Sequence, residues 1–233
     1  MSDPDRTPRP AIDADQLPRP AADPGRVPLA RFLPSTNAEG PGERTAIWVQ
    51  GCSIRCPGCF NPHMWGFHPA DPVATADLAA RILATGTAGL TLLGGEPFDH
   101  AAPLAEVAGA VAEAGRSVMT FTGYTTAQLH RAVDQGRADV RALLDATDLL
   151  VAGPFLADRL DAVRPWVGST NQEFLLLTDR FPEMLDALGE TPDRLEITVT
   201  ADGSIAVNGW ADPATLEALL ADLDARRGGI QRL

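Results

Sequence analysis

Cys52, Cys56 and Cys59 are the only cysteines of the 233-residue chain and stand within one loop in C-x3-C-x2-C spacing. Thiolates three and four positions apart can converge on one inorganic centre. Three of them cannot close a four-ligand site, so one coordination position stays open, which is what separates a catalytic metal centre from a structural one. A [4Fe–4S] cluster normally takes four cysteines. Held by three, it keeps one iron free for a substrate. Two other readings fit less well. A disulfide leaves an odd thiol, and nothing in the sequence points to secretion. A zinc site of three cysteines and one histidine would draw on His63, four positions after Cys59, but such knuckles belong to small hairpin modules rather than to the mouth of a buried strand.

The elements that must position this loop are readable on either side of it. Ala46 to Val49 is an apolar run that reads as a buried strand, ending at Gly51 where the cysteine loop opens. Upstream, residues 1–26 alternate Pro, Asp, Arg and Ala with almost no large apolar side chain, which predicts a disordered tail. The folded domain is expected over 27–233, beginning with an edge strand at Val27 to Leu33. Downstream, apolar strands at Gly89–Leu93, Ser117–Phe121, Leu149–Val151 and Phe174–Leu177 alternate with helical stretches at Ala74–Thr85, His100–Ala114, Thr126–Val133 and Asp139–Ala146. A weak helix follows at Phe181–Leu188. A hairpin is expected from Leu195–Thr200 and Ile205–Asn208, then an amphipathic helix from Asp212 to about Arg226. Strands alternating with helices imply right-handed crossovers and a parallel sheet.

The residues with chemical potential follow the strands: Cys52, Gly94, Thr122, Gly153. That is the carboxyl edge, where parallel α/β folds carry their sites. With these residues in place, the chain resembles the radical S-adenosylmethionine superfamily. The resemblance rests on Cys52/Cys56/Cys59 and on Gly94-Gly95-Glu96-Pro97 one βα unit later. Within the superfamily, Gly40-Pro41-Gly42, Cys56-Pro57-Gly58-Cys59-Phe60-Asn61, Thr122-Gly123-Tyr124-Thr125 and Gly168-Ser169-Thr170-Asn171-Gln172 are similar to the activating protein of anaerobic ribonucleotide reductase and to other activases of glycyl radical enzymes. The chain departs from that pattern at Ala152, where an acidic residue is usual.

The resemblance implies a good deal. The fold would be an α/β, incomplete (βα)6-type radical SAM barrel, open at one side. The cofactors would be a [4Fe–4S] cluster on Cys52, Cys56 and Cys59, and S-adenosylmethionine. The cluster would donate one electron to the sulfonium, giving methionine and a 5′-deoxyadenosyl radical. Gly94, Gly95, Glu96 and Pro97 would hold the methionyl group, with Glu96 meeting its ammonium. Thr122 would offer a hydroxyl to the ribose or methionyl end, Phe60 would contact adenine or serve as a packing residue, and Asn171 would line the cofactor site or an incoming peptide. The partner would be a glycyl radical enzyme or a peptide, and the electron donor a flavodoxin or ferredoxin. A peptide- or small-molecule-modifying radical enzyme and a non-catalytic metal-binding regulator remain as rivals.

Composition narrows the remaining classes. A net charge of −12 offers no basic field for nucleic acid. All 19 basic residues are Arg. No apolar run approaches transmembrane length and no signal-peptide core is present, so a cytoplasmic protein with reduced thiols is expected. His63, His68, His100 and His130 share no spacing and read as surface or loop residues. No P-loop, Gly-x-Gly-x-x-Gly or Ser-His-Asp pattern competes.

Overall fold

The structure is a computed structural model that describes residues 15–67, 72–161, 163–183, 195–199, 205–209, 218 and 221. In chain order its elements are β1 (Arg26–Val27), β2 (Leu29–Thr36), β3 (Arg44–Val49), β4 (Val73–Ala74), α1 (Thr75–Ala84), β5 (Gly89–Gly94), α2 (Ala101–Glu113), β6 (Ser117–Thr122), α3 (Thr126–Asp134), α4 (Ala138–Asp145), β7 (Leu149–Ala152), β8 (Glu173–Leu176), β9 (Leu195–Val199) and β10 (Ile205–Gly209). Single 3-10 turns at Pro62–Met64 and Pro97–His100 flank the cysteine loop and open α2.

Side-chain alternation along the strands sorts the sheet into two faces. Ile47 and Val49, Leu90 and Leu92, Val118, and Leu150 pack with α1 (Leu78, Ile82), α2 (Leu104, Val107, Val111) and α3–α4 (Leu129, Val140, Leu143) in one continuous core. Their sequence neighbours turn the other way. Ala46 and Trp48 form one small cluster with Leu93, and Met119, Leu149 and Val151 form another with Phe121, Trp166 and Phe174. The four helices therefore share one face of the sheet, and the opposite face is left for the cavity described below.

One six-stranded sheet runs in the order β2-β3-β5-β6-β7-β8. Its four central strands are parallel, with Arg44 opposite Gly89 and Val49 opposite Gly94. β2 and β8 cap the two edges in antiparallel sense. The six-fold βα repeat expected from the sequence is thus three crossovers between four parallel strands. Among the described residues, the connections that return the edge strands antiparallel, 37–43 and 153–172, carry no α-helix. The order never reverses, so the sheet has no topological switch point of the doubly wound kind.

Local signals account for the helix boundaries. Thr125 caps α3 in a reciprocal capping box with Gln128. Pro97 takes the first position of the 3-10 turn, where its missing N–H costs nothing. The β9–β10 hairpin forms as expected, in register from Ile205 opposite Val199 to Gly209 opposite Leu195. The weak helix expected over 181–188 and the C-terminal helix expected over 212–226 lie mostly outside the described residues.

The predicted tail needs correcting. Residues 15–26 are described, and they lie against the domain. Leu17 packs on the main core. The Leu17 carbonyl lies 3.3 Å from the Tyr124 hydroxyl oxygen, the Gln16 carbonyl accepts from the Gln128 amide, and that of Pro18 accepts from Arg137. Asp15 pairs with Arg131 at 2.7 Å. Low hydropathy misled here because the anchoring is through main-chain groups, which composition does not register. Residues 1–14 lie outside the described set.

Candidate functional site

β3 delivers the chain to the carboxyl edge, and the cysteine loop is then closed on itself. The Gly51 amide donates to Met64 O at 2.8 Å and the Cys52 amide to Trp65 O at 3.2 Å, so residues 51 to 65 form a ring across the strand end. Arg55, between the first two cysteines, is held in the left-handed region at φ 54°. A non-glycine residue there stores about 1–2 kcal/mol of strain. The ring is pinned by Asp99, which is 1% exposed. Its carboxylate accepts from the Ser53 amide (2.7 Å), the Ser53 hydroxyl (2.9 Å), the Tyr124 hydroxyl (2.8 Å) and the Arg19 amide (2.9 Å). One buried carboxylate thereby ties together the cysteine loop, the turn after β5, the turn after β6 and the N-terminal segment.

Cys52 and Cys56 are buried, Cys59 is half-buried, and all three are free thiols. Burial pushes the Cys52 thiol up to about 12 and Cys56 up to about 11. Backbone amides nevertheless point at the sulfurs. Arg55 N lies 3.4 Å from Cys52 Sγ, Asn61 N lies 3.4 Å from Cys59 Sγ, and the Phe155 amide faces Cys56. Amides aimed at sulfur are what a metal-bound thiolate requires, and a coordinated metal deprotonates a thiol that burial alone would keep neutral. Among the described residues, no three His, Cys, Asp or Glu side chains are grouped as one metal ion would need. All three thiols lie in the wall of one cavity.

Glu96 follows β5 and is 1% exposed. Its carboxylate accepts from the Phe98 amide (2.9 Å), the Thr122 hydroxyl (2.8 Å) and the Gly123 amide (2.8 Å). Burial, with Asp99 as a second negative charge, still holds its pKa up at about 8. Three hydrogen bonds therefore fall short of what the buried charge needs, and a ligand cation would complete it. This fits the ammonium of an amino-acid ligand.

These groups surround one cavity of about 520 Å³ that spreads over the face of the sheet opposite α1–α4. Its wall includes all three cysteines, Phe60, Gly94 to Pro97 and Thr122, and, lower on the sheet, Trp48, Leu93, Phe121 and Trp166. Of the candidates drawn from sequence, all but Asn171 lie in the wall. Asn171 instead donates to Pro154 O at 2.8 Å behind it, and Gln172 lines the cavity. Asn171 sits behind the wall because the 168–172 turn folds inward: Gln172 Oε1 accepts from the Gly168 and Ser169 amides. Thr122 lies in the wall, but its hydroxyl hydrogen is committed to Glu96. That bond orients Glu96, and the Thr122 oxygen in turn accepts from the Tyr124 amide at 3.0 Å. Phe60, 58% exposed, stands at the mouth against Phe155 with ring centroids 5.6 Å apart.

The glycines carry a packing requirement as well. A Cβ on Gly94 would lie 2.4 Å from Val49 N, and one on Gly95 would lie 2.2 Å from Gly51 O. Both positions must be glycine so that β5 can close on β3, before any ligand is considered. Ala152 packs in the helix-side core, so an acidic side chain at that position would have faced the helices. His100 is buried, not a surface residue, and burial lowers its pKa. Sequence reasoning passed over Asp99 and Ser53. The available signal was an acidic residue three positions after Glu96, in the turn that opens α2. It also gave no weight to Trp166, whose φ of 65° turns it toward the cavity.

Helices on one face, an unreversed parallel sheet and a three-cysteine loop at its carboxyl edge define a cluster-binding α/β protein. The comparisons with known proteins agree. Residues 38–175 match the family model described as the 4Fe-4S single cluster domain, and the chain belongs to that family. It is 30% identical over 153 residues to the anaerobic ribonucleoside-triphosphate reductase-activating protein of Salmonella typhimurium, covering 61% of this chain and 94% of that one. The protein of the same name from Pasteurella multocida is 32% identical over 154 residues, covering 61% and 92%. That from Escherichia coli K12 is 31% identical over 155 residues, covering 61% and 94%.

Proposed function

We propose that the chain is a radical S-adenosylmethionine activase that installs a glycyl radical on a partner enzyme of the anaerobic ribonucleotide reductase type. One observation carries the reading: three thiols with amides aimed at their sulfurs share a cavity with a buried carboxylate that lacks a cation. Cys52, Cys56 and Cys59 would hold a [4Fe–4S] cluster, and the relatives' names supply the reaction class. The cluster, when bound, supplies the electron that cleaves S-adenosylmethionine into methionine and the 5′-deoxyadenosyl radical that abstracts the glycine hydrogen.

The chain's own residues do the positioning. Glu96, oriented by Thr122 and the Gly123 amide, would take the ammonium of the cofactor in a charge-assisted hydrogen bond. Asp99 holds the cysteine loop through Ser53, which fixes the distance between ligand set and cofactor. Trp48, Leu93, Phe121 and Trp166 give an apolar wall that would keep water from a reactive carbon. The finer architecture we read is an incomplete radical SAM barrel in which three βα crossovers join the four parallel strands, supported by α1–α4 packing on one face and by the unreversed strand order. The electron donor would be a flavodoxin or ferredoxin. No helix of the described residues is long and apolar enough to cross a membrane, and three free thiols suit the reducing cytoplasm.

The test is to reconstitute the protein anaerobically, reduce it with S-adenosylmethionine present, and add a candidate glycyl radical enzyme. Methionine release and a glycine-centred paramagnetic signal on the partner are expected. A protein that carries one tightly bound zinc and no iron after anaerobic expression would sink the reading.

A further inference from the structure

The cavity has a second end, and a part of the chain outside the family segment builds it. The family match stops at residue 175, whereas Leu195, Asn208 and Gly209 line the cavity. The relatives are matched almost to their full length by 61% of this chain, so the chain has length to spare for an added element. The β9–β10 hairpin is docked at defined points. Glu196 accepts from the Thr36 hydroxyl (2.5 Å) and the Asn37 amide (2.7 Å), and the Gly209 amide donates to Glu39 Oε1 (3.0 Å).

One acceptor gathered there, Asn208 Oδ1, has no partner, while Glu39 is served by the Gly209 amide, by Asn208 and by the nearby charge of Arg31. Asn208 is 5% exposed. Its Nδ2 donates to Thr36 Oγ1 at 3.0 Å and to Glu196 Oε2 at 3.2 Å, which fixes the amide orientation. Its Oδ1 is left buried without a donor, a condition that native interiors rarely tolerate without use. Glu39 is largely buried and its carboxyl is held above the usual range, chiefly by desolvation. Arg31 lies over the Trp48 ring, 4.6 Å from its centroid, and lines the same cavity. A phosphate or carboxylate ligand would meet two acceptors, Asn208 Oδ1 and Glu39. A cationic ligand would meet Arg31. A neutral group with one donor and one acceptor answers Asn208 Oδ1 and Arg31, and a peptide main chain is such a group: its N–H answers Asn208 Oδ1 and its carbonyl answers Arg31, while Glu39 keeps its bond from the Gly209 amide.

We propose that the β9–β10 hairpin, with Arg31 and Glu39, forms a main-chain amide subsite at the far end of the cavity that holds the backbone next to the glycine to be activated. The proposal rests on the activase reading for its substrate. Glycine suits it, since a backbone without side chains can lie against Trp48 and the hairpin unobstructed.

The probe is acetyl-triglycine amide, titrated into the cluster-loaded full chain labelled with 15N at asparagine and tryptophan. A range to about 10 mM reaches tenfold above a millimolar dissociation constant. Saturable shifts of the Asn208 side-chain amide and the Trp48 indole are expected. Asn208→Leu and Arg31→Met should each weaken binding about tenfold, read at Trp48. Arg31→Met leaves the hairpin's own bonds untouched, so it decides the matter should Asn208→Leu fail to fold. An unmoved Asn208, or an affinity unchanged in Arg31→Met, overturns the subsite. So does a larger response at Asn208 to S-adenosylmethionine than to the peptide, which would give that end of the cavity to the cofactor. Methionine release by the wild-type chain is scored separately. Cleavage without peptide binding removes the subsite and keeps the activase; peptide binding without cleavage does the reverse.

Discussion

The two ends of the parallel strands bury charge in opposite ways. At the amino ends, Arg44 is 0% exposed and spans β3, β5 and β6. Its guanidinium donates to Thr91 Oγ1 (2.8 Å), Pro41 O (3.0 Å), Ser117 Oγ (2.9 Å), Leu90 O (2.7 Å) and Ser117 O (3.4 Å). All five N–H groups are answered. Burial lowers its pKa only to about 10, so it stays charged. At the carboxyl ends, Glu96 has three donors and no cation, two thiols are held neutral by burial, and the space beside them is open. The closed end fixes strand register; the open end is left chemically short of a partner. Stability and reactivity are thereby assigned to opposite edges of one sheet.

The sharpest way to break this contrast is at the cysteines. Cys52→Ala, Cys56→Ala or Cys59→Ala should each cut iron from about four per chain to a small fraction and abolish cofactor cleavage, while the melting temperature of the cluster-free protein barely moves. Iron assay and calorimetry on the same samples test both halves. A large loss of cluster-free stability would mean that the open end also holds the fold together.

Arg44→Met should do the reverse. It strands the acceptors that the guanidinium served, and breaking a buried charged network costs about 3–5 kcal/mol. Denaturant unfolding should show that loss, while protein that remains folded still takes up iron. A change within experimental scatter would show that the amino end is not the anchor described.

Glu96→Gln should weaken S-adenosylmethionine by about ten- to a hundredfold, since a charge-assisted hydrogen bond is worth about 1.5–3 kcal/mol. Its pH behaviour gives an independent check. The folded pKa, about 8, lies above the ordinary 4.5, so between these values the native state binds more protons than the unfolded one. Its contribution to stability is full below about 4.5 and is lost as pH rises to about 8. The cluster-free wild type should therefore lose more stability over that window than the Gln variant. Binding of a ligand ammonium should also release a proton near neutral pH, measurable by calorimetry in buffers of different ionisation enthalpy. Equal pH slopes for the two proteins, or binding without proton release, would remove Glu96 from the cofactor site.

The smallest expected effect is at the N-terminal segment. Deleting residues 2–14 should leave the melting temperature unchanged, because that stretch is too polar to add core. Extending the deletion through Arg26 removes Leu17 and the Arg19 amide bond to Asp99 and should cost about 1–3 kcal/mol. Cofactor cleavage should fall as well, because Asp99 holds the cysteine loop. Identical behaviour of the two deletions would show that residues 15–26 rest on the domain without supporting it.

Much of this was present in the order of residues. The spacing of Cys52, Cys56 and Cys59 and the following Gly94-Gly95-Glu96-Pro97 are local, and local spacing is what a sequence displays directly. The apolar periods at Leu104, Val107 and Val111 and at Leu90 and Leu92 gave the helices and central strands for the same reason. Asp99 escaped notice because its donors come from Ser53, Tyr124 and Arg19, which lie far from it along the chain. Asn171 was misplaced because nothing local tells which of two adjacent amides turns inward. Arg44 looked like any strand-end arginine until the starts of β5 and β6 were seen to close around it.

By itself the sequence determined the three-cysteine spacing, the alternation of strand and helix, and the carboxyl-edge position of the cysteine loop, since each follows from spacing along one chain. Only the tertiary structure decided that Gly94 and Gly95 serve strand contact, that Thr122 is spent on Glu96, and that the β9–β10 hairpin reaches the same cavity as the cysteines. These depend on which donors and backbones meet across the sheet, and hydrogen bonds and close packing are short-ranged. What a residue can offer was legible from its type; whether the offer had already been taken was settled by its neighbours in space.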